Sequence, residues 1–315
     1  MNLKSLKRKW ERTKVERRNL VAQEVIVEQR ESWIDLNTIQ AKVIFTIVSI
    51  LLFGAIWELA AKLINNHVIL PTPISSFKAL YLLIQNKIPL GAAGVGSFES
   101  MLLQTLEITA IGFLLSSAVG IPVGYLIGRW RAAEAIIDPW INALYAIPMV
   151  ALIPLLYFGS GSLIPVSVFD YQGDLLPDVL VSFIMTVFTI IINTYQGVRL
   201  VSNSLVEVGK AFGASENQLT RHVVIPAALP DIVAGMRLGL GRALLGAIIA
   251  EALLSTNGLG YTMLAFQSIL NTPYMVATIM VIAFIGFVLL QTPKLIERRL
   301  FKWKETERIK RGGNE

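Results

Sequence analysis

Charged positions along this 315-residue chain gather at its two ends and in a few short loops, with long uncharged blocks between them. Ile108–Gly128, Val179–Val198 and Ala252–Pro293 hold no Asp, Glu, Lys or Arg, and Val43–Trp57 is a further uncharged run. A helix needs roughly 20 residues to cross about 30 Å of hydrocarbon. Cut at that length, the blocks predict six spans, near 43–64, 105–128, 135–158, 178–198, 231–254 and 273–294. The expected fold class is therefore all-α, a polytopic membrane protein with about six transmembrane helices. It would carry a charged N-terminal extension over 1–42, a membrane domain over 43–294 and a charged tail over 295–315.

Proline and glycine mark where the pattern bends. "LPTPISSFKAL" after the first span implies an extended approach and then a short helix. Pro122, with Gly120, Gly124 and Gly128, predicts a kink and close helix contacts in span two. "IPMVALIP" sets Pro148 and Pro154 inside span three, so a bent helix is expected there. "NGLGYTMLAFQSILNTP" holds an apolar stretch too short to cross, read as a short helix on the outer side.

Composition agrees: 54% of residues are apolar and 16% charged, against about 25% charged in soluble domains. A net charge of +6 could indicate nucleic acid, but the placement of the basic residues says otherwise. Ten Lys and Arg lie in residues 1–42 and eight in the last 22, while 159–177 and 255–272 have none. Basic residues concentrate on the cytoplasmic side, so both termini and the loop 199–230 are expected to be cytoplasmic. The positive excess is topology, and no nucleic-acid role is assigned. Leu3, Leu6 and Trp10 can share one face of an N-terminal helix, which would either lie on the inner leaflet or stand solvated.

Enzyme chemistry finds little support. The absence of Cys excludes disulfides and thiolate metal sites. Neither a G-x-x-x-x-G-K-[ST] loop nor an H-E-x-x-H pair occurs, and the two histidines, His67 and His222, fall in loops on opposite sides. No catalytic residue, metal ligand or cofactor is assigned to this chain.

The polar stretch "EVGKAFGASENQLTRHVVIPAALP" at 207–230 stands apart from the apolar blocks around it. Ser204 and Glu207 have capping-box spacing, Gly213 can end a helix in the left-handed conformation, and Ser215 with Gln218 repeats the capping pattern. The second short helix is expected to stop before Pro226. Leu205, Val208 and Phe212 fall on one stripe of the first helix, to be covered either by the chain's own spans or by a partner.

This stretch resembles the EAA loop of binding-protein-dependent ABC importer permeases. Glu207 matches the acid, Gly213 the glycine six residues on, and Val223, Ile225 and Pro226 the closing positions; Val208 and Gly209 replace the two alanines. "WELA", "LPTP", "GIPVGYLIG", "DPWINALYAIPMVALIPLLYFG", "NTYQGV" and "GLGYTMLAFQ" are similar to the nitrate/sulfonate/taurine-type branch. The resemblance implies a type I importer-like permease in a prokaryotic plasma membrane. It also implies pairing with a second copy, a cytoplasmic ABC ATPase dimer that holds ATP and Mg, and an extracytoplasmic solute-binding protein. Ser204, Glu207, Val208, Phe212, Gly213, Ala214 and Pro226 would then form the loop that couples to the ATPase. The cargo would be a small solute, nitrate-, sulfonate-, taurine- or bicarbonate-like or another small organic anion. Alternatives are another importer branch, with amino-acid, metal-complex or vitamin-precursor cargo, or a membrane scaffold that recruits a cytoplasmic enzyme. The long N-terminal extension, and an outer loop carrying Asp170, Asp174 and Asp178, depart from the family pattern.

Charges inside spans are functional suspects. Arg237 is close enough to the interface to snorkel; Arg242 lies deeper, and either pairs with a carboxylate or faces an aqueous path that it helps an anionic or polar solute to traverse. Glu251, near the outer end, either packs against a loop or shapes a gate. Glu58 and Glu107 are expected as interfacial anchors. Gly235 and Gly239 form a G-x-x-x-G pair that marks either a dimer seam or a contact within one chain.

Overall fold

The computed structural model describes residues 39–88, 95–156, 175–255 and 257–300. All regular structure among them is helical. The elements are α1 (Ile39–Ile64), α2 (Pro73–Ile84), α3 (Phe98–Arg129), α4 (Arg131–Ala146), α5 (Leu175–Arg199), α6 (Asn203–Ala211), α7 (Glu216–Leu219), α8 (Ile225–Leu253), α9 (Leu259–Ser268) and α10 (Thr272–Leu300). Five helices are long and apolar enough to cross a bilayer. α4 together with Met149–Leu156, two pieces bent by 90°, makes a sixth if the pair counts as one broken span. The bend sits where the chain requires it: Ile147, which precedes Pro148, is extended at φ −70°, ψ 130°. Pro122, by contrast, lies within an α3 that is helical on both sides of it.

The chain divides into two units, residues 1–65 and 66–315. Within the first, α1 is apolar on every face, with one i,i+4 ion pair, Glu58–Lys62 at 3.1 Å. The N-terminal helix expected around Trp10 lies outside the described residues, as do Asp170 and Asp174. In the second unit, α10 continues to Leu300, past the expected end of its span at 294. The short outer helix is present as α9, and the helix after "LPTP" as α2, where Thr72 caps the first turn and Pro73 takes the first position.

Helix α5 is the centre of the second unit, packed along its length against α3 on one side and α8 on the other. Lipid tails are as apolar as Leu, so helices in a membrane gain by close packing and hydrogen bonds rather than by escaping water. Both neighbours of α5 present small residues at four-residue spacing: Gly112, Ser116, Gly120, Gly124 and Gly128 on α3, and Gly235, Gly239 and Ala243 on α8. A Cβ placed on Gly124 would lie 2.6 Å from the Ile191 carbonyl oxygen, and one on Gly239 would lie 2.9 Å from Ile190 Cγ1. Hydroxyls staple the same seams: Ser182 donates to the Ala243 carbonyl at 3.0 Å, and Ser116 to Phe183 at 2.9 Å. Gly235 and Gly239 therefore form a contact within one chain, one of the two roles expected for them.

Apolar clusters close the two ends of this block. Val198, Val224, Ala228 and Ile232 pack where α5 and α8 meet the 199–230 loop. Toward the opposite end, Leu83, Met101, Leu244, Leu259, Phe266, Val281 and Ile285 join α2, α3, α8, α9 and α10. The backbone approach across the α3–α5 seam leads to a sharp expectation. Gly124→Val should destabilise the purified protein by about 1–3 kcal/mol, the usual cost of overpacking, seen as a lowered Tm in detergent. Gly241→Ala should be nearly silent, because its Cβ would meet only the tip of the Leu290 side chain, at 3.3 Å.

Candidate functional site

The polar helix pair is built from the end of α5 outward. After Arg199 the chain turns, and α6 begins at Asn203. This corrects the expected capping box at Ser204 and Glu207. Ser204 is already the second residue of α6, its hydroxyl 2.6 Å from that of Ser202, and Ser202 at the N-cap makes no side-chain cap bond. Because the helix starts early, Glu207 is its fifth residue, too far along to reach back to the N-cap amide. Glu207 is exposed and forms no ion pair among the described residues.

The other end of α6 follows its sequence. Gly213 takes φ +77°, its N–H bonds to the Lys210 carbonyl at 2.9 Å, and the Ala214 N–H bonds to the Gly209 carbonyl at 3.1 Å. Those two bonds are a Schellman cap, which requires the left-handed residue that glycine provides without strain. Ser215 and Gln218 form the expected capping box at the start of α7. The chain does not leave the helical path before Pro226, however. A π turn, Thr220–Val224, carries α7 into α8, with the Ile225 N–H bonded to the Thr220 carbonyl. The wider turn accommodates Pro226, which has no N–H to donate to the preceding turn, at the start of α8.

Two faces of α6 do different things. Val206 packs into the cluster of Val198, Val224, Ala228 and Ile232. Gly209 meets α7, since a Cβ there would lie 2.5 Å from Leu219 Cδ2. The residue that replaces an expected alanine is thus matched by a large neighbour. On the other face Leu205, Val208 and Phe212 are 51%, 55% and 88% exposed, an apolar stripe that nothing in the described chain covers.

The loop is also fixed to α3, a feature the sequence reading missed. The Tyr125 hydroxyl lies 2.7 Å from that of Thr220, and Arg129 pairs with Glu216, which Lys210 also approaches at 3.6 Å. A tyrosine one turn before a helix-ending arginine was the only local signal.

The remaining singled-out residues lie along α8, away from this loop. Arg237 is half-buried, whereas Arg242 is exposed and has no ion pair among the described residues. At ~1.5 Å per residue, Glu251 is about 13 Å further along the helix and is fully enclosed. Thr105 on α3 donates its hydroxyl to the Glu251 carboxylate, 2.7 Å from Oε1, and accepts the Leu259 N–H at 3.1 Å. The Gly260 N–H donates to Glu251 Oε2 at 2.9 Å. Glu251 and Thr105 together satisfy first-turn amides of α9, whose N-cap Gly258, at φ +97°, has no side chain to do so. Glu107 is half-buried, several turns inside α3.

Comparison with known proteins decides what the loop belongs to. Residues 120–302 match the family described as binding-protein-dependent transport system inner membrane component. The chain belongs to that family. It is a permease subunit, and the work of its helices is transmembrane transport. A putative ABC transporter permease protein of Methanocaldococcus jannaschii is 35% identical over 79% of this chain and 88% of its own length. A putative aliphatic sulfonates transport permease protein of Bacillus subtilis is 32% identical over 80% of this chain and 84% of its own. The second of these relatives agrees with the sulfonate/taurine-type branch expected from the motifs. An inward-facing structure of the MetNI methionine ABC transporter superposes with a TM-score of 0.53, covering 71% of this chain and 98% of that one. At 19% identity that likeness concerns the fold of the permease alone.

Two outcomes follow from the geometry. Gly209→Ala should lower the Tm of the permease, and Leu219→Val in the same chain should restore most of the loss, with a coupling of about 0.5–3 kcal/mol in a double-mutant cycle. Glu251→Ala leaves the buried Gly260 N–H unpaired, at about 1–3 kcal/mol, while the Thr105 hydroxyl keeps the Met101 carbonyl as acceptor at 3.0 Å. Amide exchange should then rise at the start of α9 while remaining unchanged in α6.

Proposed function

We propose that this permease works as two copies around a shared path. ATP and Mg²⁺ held on a separate cytoplasmic ATPase dimer would drive it, and an extracytoplasmic binding protein would deliver the solute. One observation carries the coupling role: the apolar stripe Leu205, Val208 and Phe212 faces outward from a loop bound to α3, α5 and α8. An exposed i, i+3, i+7 apolar face is the form in which a helix is received by a groove on a partner. Burial of a side chain such as Phe212 contributes about 1.5–3 kcal/mol, enough to favour one ATPase conformation over another if only one offers the groove. Val208, Gly213 and Ala214 shape that knuckle, Pro226 closes it, and Ser204 and Glu207 lie on its exposed side. The loop and both termini are cytoplasmic in this reading, as the distribution of Lys and Arg supports.

The cargo is a small organic anion of the sulfonate or taurine kind. The relatives' names support that class, and Arg242 supports the sign of charge, since it is an exposed cation within a span. Glu251 acts at the far end of the path by holding α9 in position.

Reconstitution with the ATPase and binding protein tests both parts. Phe212→Asp or Gly213→Pro should leave the permease inserted while weakening ATPase association about tenfold or more and uncoupling hydrolysis from uptake. Normal coupling in both variants would remove the docking role. Arg242→Gln should reduce anion uptake with binding-protein-stimulated hydrolysis retained; unchanged uptake would remove Arg242 from the path.

A further inference from the structure

Beside the coupling loop, the ends of three helices enclose a polar pocket of about 370 Å³. Arg129 from the last turn of α3, Arg131 from the first turn of α4 and Arg199 from the last turn of α5 all line it, with Glu134, Asn203 and Val206. The loop's own α6 therefore forms part of the wall. We propose that this pocket binds a phosphate group, as a phospholipid headgroup or as a soluble phosphate, and that the bound anion ties α4 to the coupling loop.

The charges favour an anion. Three guanidinium groups and one carboxylate line the pocket, a surplus of two positive charges. Arg199 pairs with Glu134, whose Oε1 also accepts the Tyr195 hydroxyl at 3.0 Å. Arg129 pairs with Glu216, which is more exposed and shared with Lys210. Arg131 is exposed and has no ion pair among the described residues, so its donors are available. The first turn of α4 adds to this, because Trp130 at its N-cap makes no side-chain cap bond to the leading amides.

The same features favour phosphate over a smaller anion. Guanidinium donors match tetrahedral phosphate oxygens in pairs, and several arginines here converge from different helices. The volume is at the lower limit of small-ligand sites, about 300–1,000 Å³, which suits a headgroup and excludes acyl chains. The pocket also lies where α3 and α5 end, and basic pockets between span ends on the cytoplasmic side are headgroup sites in membrane proteins. A simpler structural role explains only part of this. Cations at the ends of α3 and α5 complement the helix dipoles, but Arg131 stands at a helix start, where a positive charge is unfavourable and where the first-turn carboxylate, Glu134, is already engaged by Arg199. The proposal stands whether or not the loop docks on an ATPase.

The full-length permease in detergent offers two arms: native mass spectrometry with added phosphatidylglycerol, and thermal-shift titration with inorganic phosphate. At least one should show saturable binding that weakens about tenfold in Arg131→Gln, the worth of one hydrogen bond to a charged group. The same binding should tighten in Glu134→Gln, which releases Arg199 and keeps an acceptor for Tyr195. A response to phosphatidylglycerol alone assigns the lipid, and a response to phosphate in solution assigns the soluble ion. Saturable binding in neither arm, or binding that both variants leave unchanged, overturns the proposal.

Discussion

The permease depends on atoms that are missing from two helices. Where α3 and α8 meet α5, glycine replaces side chains, so the backbones approach within direct contact across both seams. In lipid this matters more than in water, because apolar side chains gain little by leaving one hydrocarbon surface for another. Dense packing and a few staples, such as Ser182 on Ala243, must supply the cohesion. The consequence is a three-helix body in which none of the helices can slide without breaking contacts along its length.

The polar loop 199–230 is attached to that body at several points. Val206 enters the cluster formed by α5 and α8, Thr220 and Glu216 engage α3, and the π turn makes α7 continuous with α8. These contacts tie α6 and its exposed stripe to all three packed helices. The broken span behaves differently: Pro148 separates α4 from the segment that follows by a right-angle bend. Its N-terminal end shares a pocket with the loop, whose side of the wall is Val201, Asn203, Val206 and Val224.

At the opposite end of α8 the bonding changes in kind. Ion pairs near the loop are open to solvent and individually weak, whereas Glu251 is enclosed and bonded to a hydroxyl and a backbone amide. A buried carboxylate is tolerated only when its acceptor sites are occupied. Here the α9 amides, with no cap of their own, provide that satisfaction. The carboxylate and the short helix each complete the other.

Much of this could be read from the chain alone. Spans, the proline break, the short helices α2 and α9 and the Gly213 cap all follow from local chemistry, and the family from the resemblance of its motifs. Hydropathy, proline sterics and a positive φ act within a few residues of their cause. The start of α6 escaped that reading, since three serines or asparagines in a row offer equivalent local starts and the path out of α5 selects one. Whether Gly235 and Gly239 joined two copies or two helices was likewise open, because a small-residue stripe records closeness but not the neighbour. The partners of Glu251, Arg129 and Arg199 are on other helices, 146, 87 and 65 residues away in sequence. The sequence determined which segments are apolar enough to span a bilayer, and where Pro148 breaks a helix and Gly213 ends one. Only the tertiary structure decided which of their polar groups meet, because that depends on how rods of fixed length are turned and stacked.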